Sequence, residues 1–101
     1  MAPVLNLTQP AIADLEEIAD RIAQNSGLER SEQFLASIEE KLSIIARFPK
    51  IGRLRSEILP NLRSLPLQQY LILYIPVGES IDVLRVVSGY RDLPALFPEE
   101  P

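Results

Sequence analysis

The apolar positions of this chain change their spacing near residue 61, and the change separates a helical half from a strand half. Between residues 9 and 48, apolar side chains recur at steps of three and four, the spacing of one face of an α-helix. From residue 62 to residue 88 they follow a period of two or fill short runs, which is typical of strands.

The first helix is predicted to begin just after Thr8. Thr8 is a suitable N-cap, and Pro10 falls in the first turn, where its missing N–H costs nothing. Asn25 and Gly27 are expected to end the helix. Its apolar stripe consists of Ile12, Leu15, Ile18, Ala19 and Ile22.

A second helix is predicted to follow after a break of two residues. Ser26 and Glu29 have the spacing of a capping box, and Pro49 stops the helix. So short a break predicts an antiparallel helical hairpin. The stripe of this helix consists of Leu28, Ser31, Leu35, Ile38, Leu42 and Ile45, widened by Phe34 and Phe48.

Four strands are predicted, at residues 4–7, 62–67, 69–77 and 80–88. Pro66 cannot donate to a ladder, so residues 62–67 are interpreted as an edge strand. The order β-α-α-β-β-β predicts an α+β fold of two layers, in which the hairpin covers one face of a small, mostly antiparallel sheet. We expect a single domain over residues 1–101, with residues 98–101 as a frayed tail.

Both faces of the predicted sheet are apolar. The strand at 69–77 alternates Leu71, Leu73 and Ile75 with Tyr70, Ile72 and Tyr74. The last strand alternates Leu84 and Val86 with Ile81, Val83, Arg85 and Val87. Strands that are apolar on both faces are usually covered on both. Because the hairpin covers only one, we expect the second face to be open and available to another molecule.

The composition restricts the possible chemistry. The chain has 47% hydrophobic residues, as in globular proteins, and contains neither Cys nor His. It therefore has no thiolate nucleophile and no histidine base, and a structural zinc site would need carboxylates alone. We expect no metal and no cofactor. The N-terminal residues lack a signal-peptide pattern, so we expect a cytoplasmic protein.

The charge is distributed unevenly along the chain. The net charge is −4, but residues 46–75 hold five basic residues and one acidic residue, a net charge of +4. Residues 1–45 hold eight acidic and three basic residues. One interpretation is an acidic, solvated helical face next to a basic loop; the other is a middle segment that meets an acidic partner or a phosphate backbone. Both stay open.

Four segments together resemble the toxins of bacterial type II toxin–antitoxin systems in the RelE/ParE superfamily, and more closely its ParE branch. They are "TQPAIADLEEIADRIAQNS", "FPKIGRLRSEI", "LRSLPLQQYLILYIPV" and "IDVLRVVSGYRDLPALF", and the resemblance covers about residues 4–97. Two short patterns lie within them. The pattern A-x-x-D-L-x-x-I falls on Ala11, Asp14, Leu15 and Ile18, and P-x-x-G-R-x-R falls on Pro49, Gly52, Arg53 and Arg55.

The resemblance implies a toxin that is neutralised by a cognate antitoxin, a DNA-binding protein whose C-terminal segment wraps the toxin. ParE-like members are described as inhibitors of DNA gyrase, so the resemblance implies an inhibitor with no catalytic residues. Two alternatives remain. One is a RelE-like, ribosome-dependent endoribonuclease that cleaves messenger RNA. The other is a non-toxic relic that still binds an antitoxin.

Several basic and tyrosine residues are candidates for contact with a target or partner. They are Arg53, Arg55, Arg63, Tyr70, Tyr74, Arg85, Tyr90 and Arg91. For a nuclease, Arg63 and Arg85 would hold the phosphate and Tyr90 would be the acid. Ser88 stands where family members often carry a histidine, which argues against that chemistry.

Each of these candidates also has a structural interpretation. Arg63 would be a solvated charge, Tyr90 a packed aromatic, and Arg85 the ion-pair partner of Asp82, Asp92 or an antitoxin carboxylate. Gly52 suits a positive φ in the loop after the second helix. The tail is expected to be anchored by a short helical turn capped by Asp92, with Leu93 and Pro94 in its first turn and with Leu93, Leu96 and Phe97 packed on the core.

Overall fold

The computed structural model describes residues 4–89 and 92–97 of the chain. Two helices pack on a five-stranded sheet of order β1-β5-β4-β3-β2, in which β1 runs parallel to β5 and the other pairs are antiparallel. The elements are β1 (Val4–Leu7), α1 (Gln9–Ser26), α2 (Leu28–Arg47), β2 (Arg53–Leu54), β3 (Arg63–Leu67), β4 (Tyr70–Val77), β5 (Ser80–Ser88) and a final 3₁₀ turn (Leu93–Leu96).

The predicted α+β architecture is confirmed, with one strand added. The two-residue strand β2 pairs with Arg63 and Ser64, so β2 and not β3 is the outermost strand on this side. The prediction that residues 62–67 form the edge strand was therefore wrong. Because β2 pairs only with these two residues, no described strand pairs with Pro66 on that side, and its missing N–H leaves no gap in the β2–β3 ladder.

The helical hairpin is confirmed, but its turn is built differently from the prediction. The Thr8 hydroxyl accepts a hydrogen bond from the Ala11 N–H at 3.4 Å, as an N-cap does. The predicted capping box is wrong, since Ser26 still belongs to α1. The two helices meet at Gly27, whose φ of 93° favours glycine. Within the described residues, no helix combines the length and the apolar character needed to cross a membrane.

The helix-side core lies between the hairpin and the sheet. The Tyr70 ring packs edge-on against Phe34 at 5.5 Å between centroids, and the Ser31 hydroxyl donates to the Ala19 carbonyl of the other helix at 2.8 Å. Three residues of the predicted α2 stripe, namely Leu28, Leu35 and Phe48, are exposed instead. Residues of this core include Ala11, Ile18, Ile38, Ile45, Leu67, Ile72, Tyr74, Ile81, Val83 and Val86.

A β-bulge in β5 changes which residues face the helices. Tyr74 pairs with Val83 and Leu73 pairs with Arg85, which leaves Leu84 as an extra residue without a partner. The predicted alternation is correct up to Leu84, which packs opposite Val83, and wrong after it. Val86 packs in the helix-side core with Val83, whereas Leu84 and Val87 pack on the opposite face.

The second face of the sheet is covered by the chain itself, so the expectation of an open face was wrong. The loop before β3 and the 3₁₀ turn fold over β4 and β5, and Leu73 in the middle of this face is fully buried. The tail anchor is confirmed, although Asp92 makes no side-chain capping bond. This far-side core contains Leu62, Leu73, Val87 and Leu93, with Ile58, Leu59, Leu71, Ile75, Leu84, Leu96 and Phe97 packed around them. This face therefore does not present the open apolar sheet that was expected to bind another molecule.

Candidate functional site

The loop that follows α2 is held in place by Tyr74 on β4. The Tyr74 hydroxyl donates to the Pro49 carbonyl at 2.8 Å and accepts from the Gly52 N–H at 2.9 Å. Burial raises the pKa of Tyr74 above its usual value, and the hydrogen bond with Gly52 opposes that rise. Because the side chain is fully buried, Tyr74 offers no surface to a target, and its predicted contact role is corrected to a structural one.

Arg63 and Gly52 complete this attachment. The Arg63 guanidinium donates from Nη1 to the carbonyls of Gly52 at 2.8 Å and Lys50 at 3.2 Å. Gly52 does not have the positive φ predicted for it. Its lack of a side chain is needed for another reason, because a Cβ atom here would lie 2.7 Å from the Tyr74 hydroxyl oxygen.

The outer surface of this loop combines positive charge with apolar side chains. Phe48 is 58% exposed, Ile51 48% and Leu54 48%. The Arg47 guanidinium lies 5.8 Å from the centre of the Phe48 ring. We call residues 47–54 the basic–apolar loop; its exposed members are Arg47, Phe48, Lys50, Ile51, Arg53 and Leu54.

Arg55, just beyond this loop, is held by neighbouring polar groups. Its Nε lies 3.0 Å from a carboxylate oxygen of Glu57, and its Nη1 donates to the Ser64 hydroxyl at 3.4 Å. The hydrogen bond from Arg55 lowers the pKa of Glu57. Of the predicted contact arginines, Arg53 is exposed on β2, whereas Arg55 is partly buried.

Arg85 is bound to Asp14 on α1, an acidic residue that the sequence pattern did not indicate as its partner. Two hydrogen bonds join the groups, from Nε to Oδ2 at 2.7 Å and from Nη2 to Oδ1 at 2.8 Å. The bond to Asp14 raises the pKa of Arg85. Asp14 also accepts from the Val86 N–H at 3.0 Å, beyond the point where β1 stops pairing with β5. Asp82, one of the partners proposed from the sequence, accepts from Asn6.

The two arginines proposed for a nuclease, Arg63 and Arg85, are bound to different parts of the chain. The guanidinium of Arg63 binds the loop at the β2 edge, whereas that of Arg85 binds α1. Tyr90 and Arg91 lie outside the described residues, as does the predicted frayed tail. Tyr70 is buried against Phe34 and offers little surface to a partner.

A second surface feature is an apolar groove between the two helices and the end of β1. It has a volume of about 440 Å³, with Glu16 and Asp20 among its lining side chains. Its apolar side chains are Leu7, Ile12, Leu15, Ala19 and Leu35. Beside it, β1 is an outermost strand of the sheet, and Val4 on it is exposed. Its helical apolar residues belong to stripes that the sequence assigns to the core, so the sequence did not indicate this groove as a surface.

Comparison with known proteins identifies the family. The family described as "ParE toxin of type II toxin-antitoxin system, parDE" matches residues 5–93. Toxin ParE3 of Caulobacter vibrioides is 31% identical over 88 residues, covering 87% of this chain and 88% of that protein. Toxin ParE1 of Mycobacterium tuberculosis is 35% identical, covering 86% and 90%.

Two solved structures have the same fold. One is from the chromosomal ParDE toxin–antitoxin system of P. aeruginosa, with a TM-score of 0.75 and 25% identity over 86% of this chain and 96% of that one. The other is a mutant of the E. coli toxin RelE in the free state, with a TM-score of 0.63 and 17% identity, covering 95% of this chain and 93% of that one. The RelE likeness concerns the fold alone. From the family match and the ParE relatives together, this chain belongs to the ParE toxins of type II toxin–antitoxin systems, within the RelE/ParE superfamily.

Proposed function

We propose that this protein arrests bacterial growth by inhibiting DNA gyrase in the cytoplasm and that a cognate antitoxin neutralises it. The observation that carries the proposal is the match to the ParE toxin family over residues 5–93. The relatives named ParE toxins, each similar over more than four fifths of this chain, support the same function.

Arg63 and Arg85 are held by hydrogen bonds within the chain, and this supports inhibition by binding rather than RNA cleavage. A nuclease needs cations that are free to approach the phosphate as negative charge develops. Here Arg85 is held by two hydrogen bonds to Asp14, and Arg63 by two bonds to backbone carbonyls. The histidine-free sequence also lacks the commonest general base.

For the antitoxin, the apolar groove and the free edge of β1 form the more suitable surface. The groove has an apolar floor from α1, α2 and β1, with the carboxylates of Glu16 and Asp20 beside it. An antitoxin segment with an apolar face and basic neighbours would satisfy both features. The outer edge of β1 can add backbone hydrogen bonds to an extended part of the same segment.

Induced expression in a bacterial host, with and without the cognate antitoxin, tests this proposal. We expect the toxin alone to stop growth and induce the DNA-damage response, and we expect co-expressed antitoxin to restore growth. Primer extension on messenger RNA after induction separates the alternatives. New cleavage sites without a DNA-damage response would favour an endoribonuclease, and normal growth with retained antitoxin binding would favour a relic.

A further inference from the structure

The basic–apolar loop has a regular composition that its structural role does not require. Within residues 47–54, each of the three basic residues is followed directly by a large apolar residue, and there is no acidic residue. All six of these side chains are exposed. An exposed patch that combines apolar side chains with one sign of charge marks an interaction surface.

The backbone of the basic–apolar loop is held in one conformation by hydrogen bonds within the chain itself. The Ile51 N–H donates to the Phe48 carbonyl at 2.9 Å, which closes a turn and brings these two apolar residues together. The bonds from Tyr74 and Arg63 hold the next residues, and pairing of β2 with β3 holds the end of the loop. A preorganised loop loses little conformational entropy on binding.

The chemistry of the loop selects a protein partner over a nucleic acid. Phosphates would satisfy the three basic side chains, but they would leave Phe48, Ile51 and Leu54 about half exposed to water. A protein surface with carboxylates around an apolar centre satisfies both kinds of side chain.

We propose that the basic–apolar loop is the surface through which the toxin docks on an acidic, partly apolar surface of its protein target. This inference rests on the proposed function, since it presumes a protein target. The loop adjoins β2 at one edge of the sheet and the apolar groove adjoins β1 at the other, four strand spacings or about 19 Å away. The groove carries acidic side chains and the loop basic ones, so the two surfaces suit different partner segments.

A matched pair of charge-reversal variants tests the proposal. The loop variant is Arg47→Glu with Lys50→Glu. The control is Arg21→Glu with Arg30→Glu, which changes the net charge equally at exposed positions on the helices. A second loop variant, Phe48→Ser with Ile51→Ser, removes apolar surface without changing charge. For each purified variant, circular dichroism and antitoxin affinity report the fold, and growth arrest on induction reports toxicity.

We expect both loop variants to fold, to bind antitoxin with affinity close to that of the wild type, and to require about tenfold more toxin for the same growth arrest. The control variant should arrest growth as the wild type does. Full arrest by both loop variants would overturn the docking surface and leave the proposed function intact. A wild-type toxin that fails to arrest growth would instead overturn the proposed function, and with it the target.

The same experiments would identify two other possible partners of the loop, the antitoxin and a nucleic acid. If the loop variants lost antitoxin affinity while keeping toxicity, the loop would belong to the antitoxin interface and the proposal would be wrong. If the wild type bound a labelled DNA duplex and the loop variants did not, while toxicity was unaffected by the apolar substitutions, the partner would be a nucleic acid. That result would also overturn the proposal.

Discussion

The guanidinium of Arg85 and the carboxylate of Asp14 form two parallel hydrogen bonds of 2.7 and 2.8 Å across a separation of 71 residues. The pair joins helix α1 to the strand at the bulge, and its side chains are 23% and 13% exposed. Asp14 also accepts the backbone N–H of Val86, which β1 is too short to pair. Arg85 therefore stabilises the packing of helix on sheet and is not free to bind a phosphate.

This pair can be tested by a double-mutant cycle with Asp14→Ala and Arg85→Ala. We expect a coupling free energy of about 1–3 kcal/mol, because two charge-assisted hydrogen bonds are lost together in a largely buried position. Denaturant unfolding of the four proteins measures it. Glu16→Ala, an exposed position on the same helix, is the control, and its combination with Arg85→Ala should be additive. A coupling near zero for Asp14 would contradict a structural role for the pair.

Tyr74→Phe should destabilise the protein by about 1–3 kcal/mol at neutral pH. The substitution leaves the Gly52 N–H and the Pro49 carbonyl without their buried hydrogen-bond partner. Equilibrium unfolding in urea measures the loss. A variant as stable as the wild type would mean that the hydroxyl does not hold the loop.

The same variant should change the dependence of stability on alkaline pH. Burial raises the pKa of Tyr74 in the folded state, so the unfolded chain loses its phenolic proton first. The contribution of Tyr74 is therefore fully present below about pH 10 and is lost as the pH rises toward the folded-state pKa. Between about pH 9 and pH 11, one unit on either side of the ordinary tyrosine pKa, the free energy of unfolding should fall more for the wild type than for Tyr74→Phe. Parallel curves would contradict this account.

Gly52→Ala should distort the basic–apolar loop. The new Cβ atom would lie 2.7 Å from the Tyr74 hydroxyl oxygen and 3.0 Å from the Ser64 carbonyl oxygen, so the loop or the buried ring must move. We expect a loss of about 1–3 kcal/mol in thermal or urea unfolding. Gly89→Ala is the control, since its nearest contact would be at 3.4 Å. Equal losses in the two variants would show that the close approach to Tyr74 is unimportant.

Leu35→Arg should weaken antitoxin binding if the antitoxin occupies the apolar groove. The substitution puts a charge at a position that is 38% exposed on the groove wall, so the fold should tolerate it better than the interface. We expect at least about a tenfold loss of affinity by calorimetry. Val77→Arg, at the exposed C-terminal end of β4, should bind as the wild type does. If Leu35→Arg bound the antitoxin with unchanged affinity, the antitoxin would have to bind another surface of the toxin.

The two helices, four of the five described strands and their order could be predicted because their signals are local. Thr8, Pro10 and Gly27 mark the limits of α1 within a few residues of sequence, and period-two runs mark the strands. The bulge could not be predicted, because one extra residue at Leu84 leaves no mark in a strand that is apolar on both faces. The far-side core depends on Ile58 and Leu59, which have no periodicity that would assign them to the sheet, and on the tail, whose packing was predicted without the sheet face that it covers.

The candidate site was predicted less well than the fold. The sequence identifies basic and tyrosine residues by type, but their availability depends on partners far along the chain. Tyr74 binds a loop 22 and 25 residues earlier, and Arg85 binds a helix 71 residues earlier. The exposed apolar side chains of Phe48 and Ile51 were not indicated as a surface, although the repeat of a basic residue followed by an apolar one can be seen in the amino-acid sequence.

Inhibition of purified DNA gyrase tests the central claim most directly. Relaxed plasmid, gyrase and ATP are incubated with the toxin at micromolar concentration, with and without an equimolar amount of cognate antitoxin. We expect the toxin alone to block supercoiling and the antitoxin to restore it. Supercoiling at the normal rate in the presence of a folded toxin that binds its antitoxin would contradict the gyrase claim.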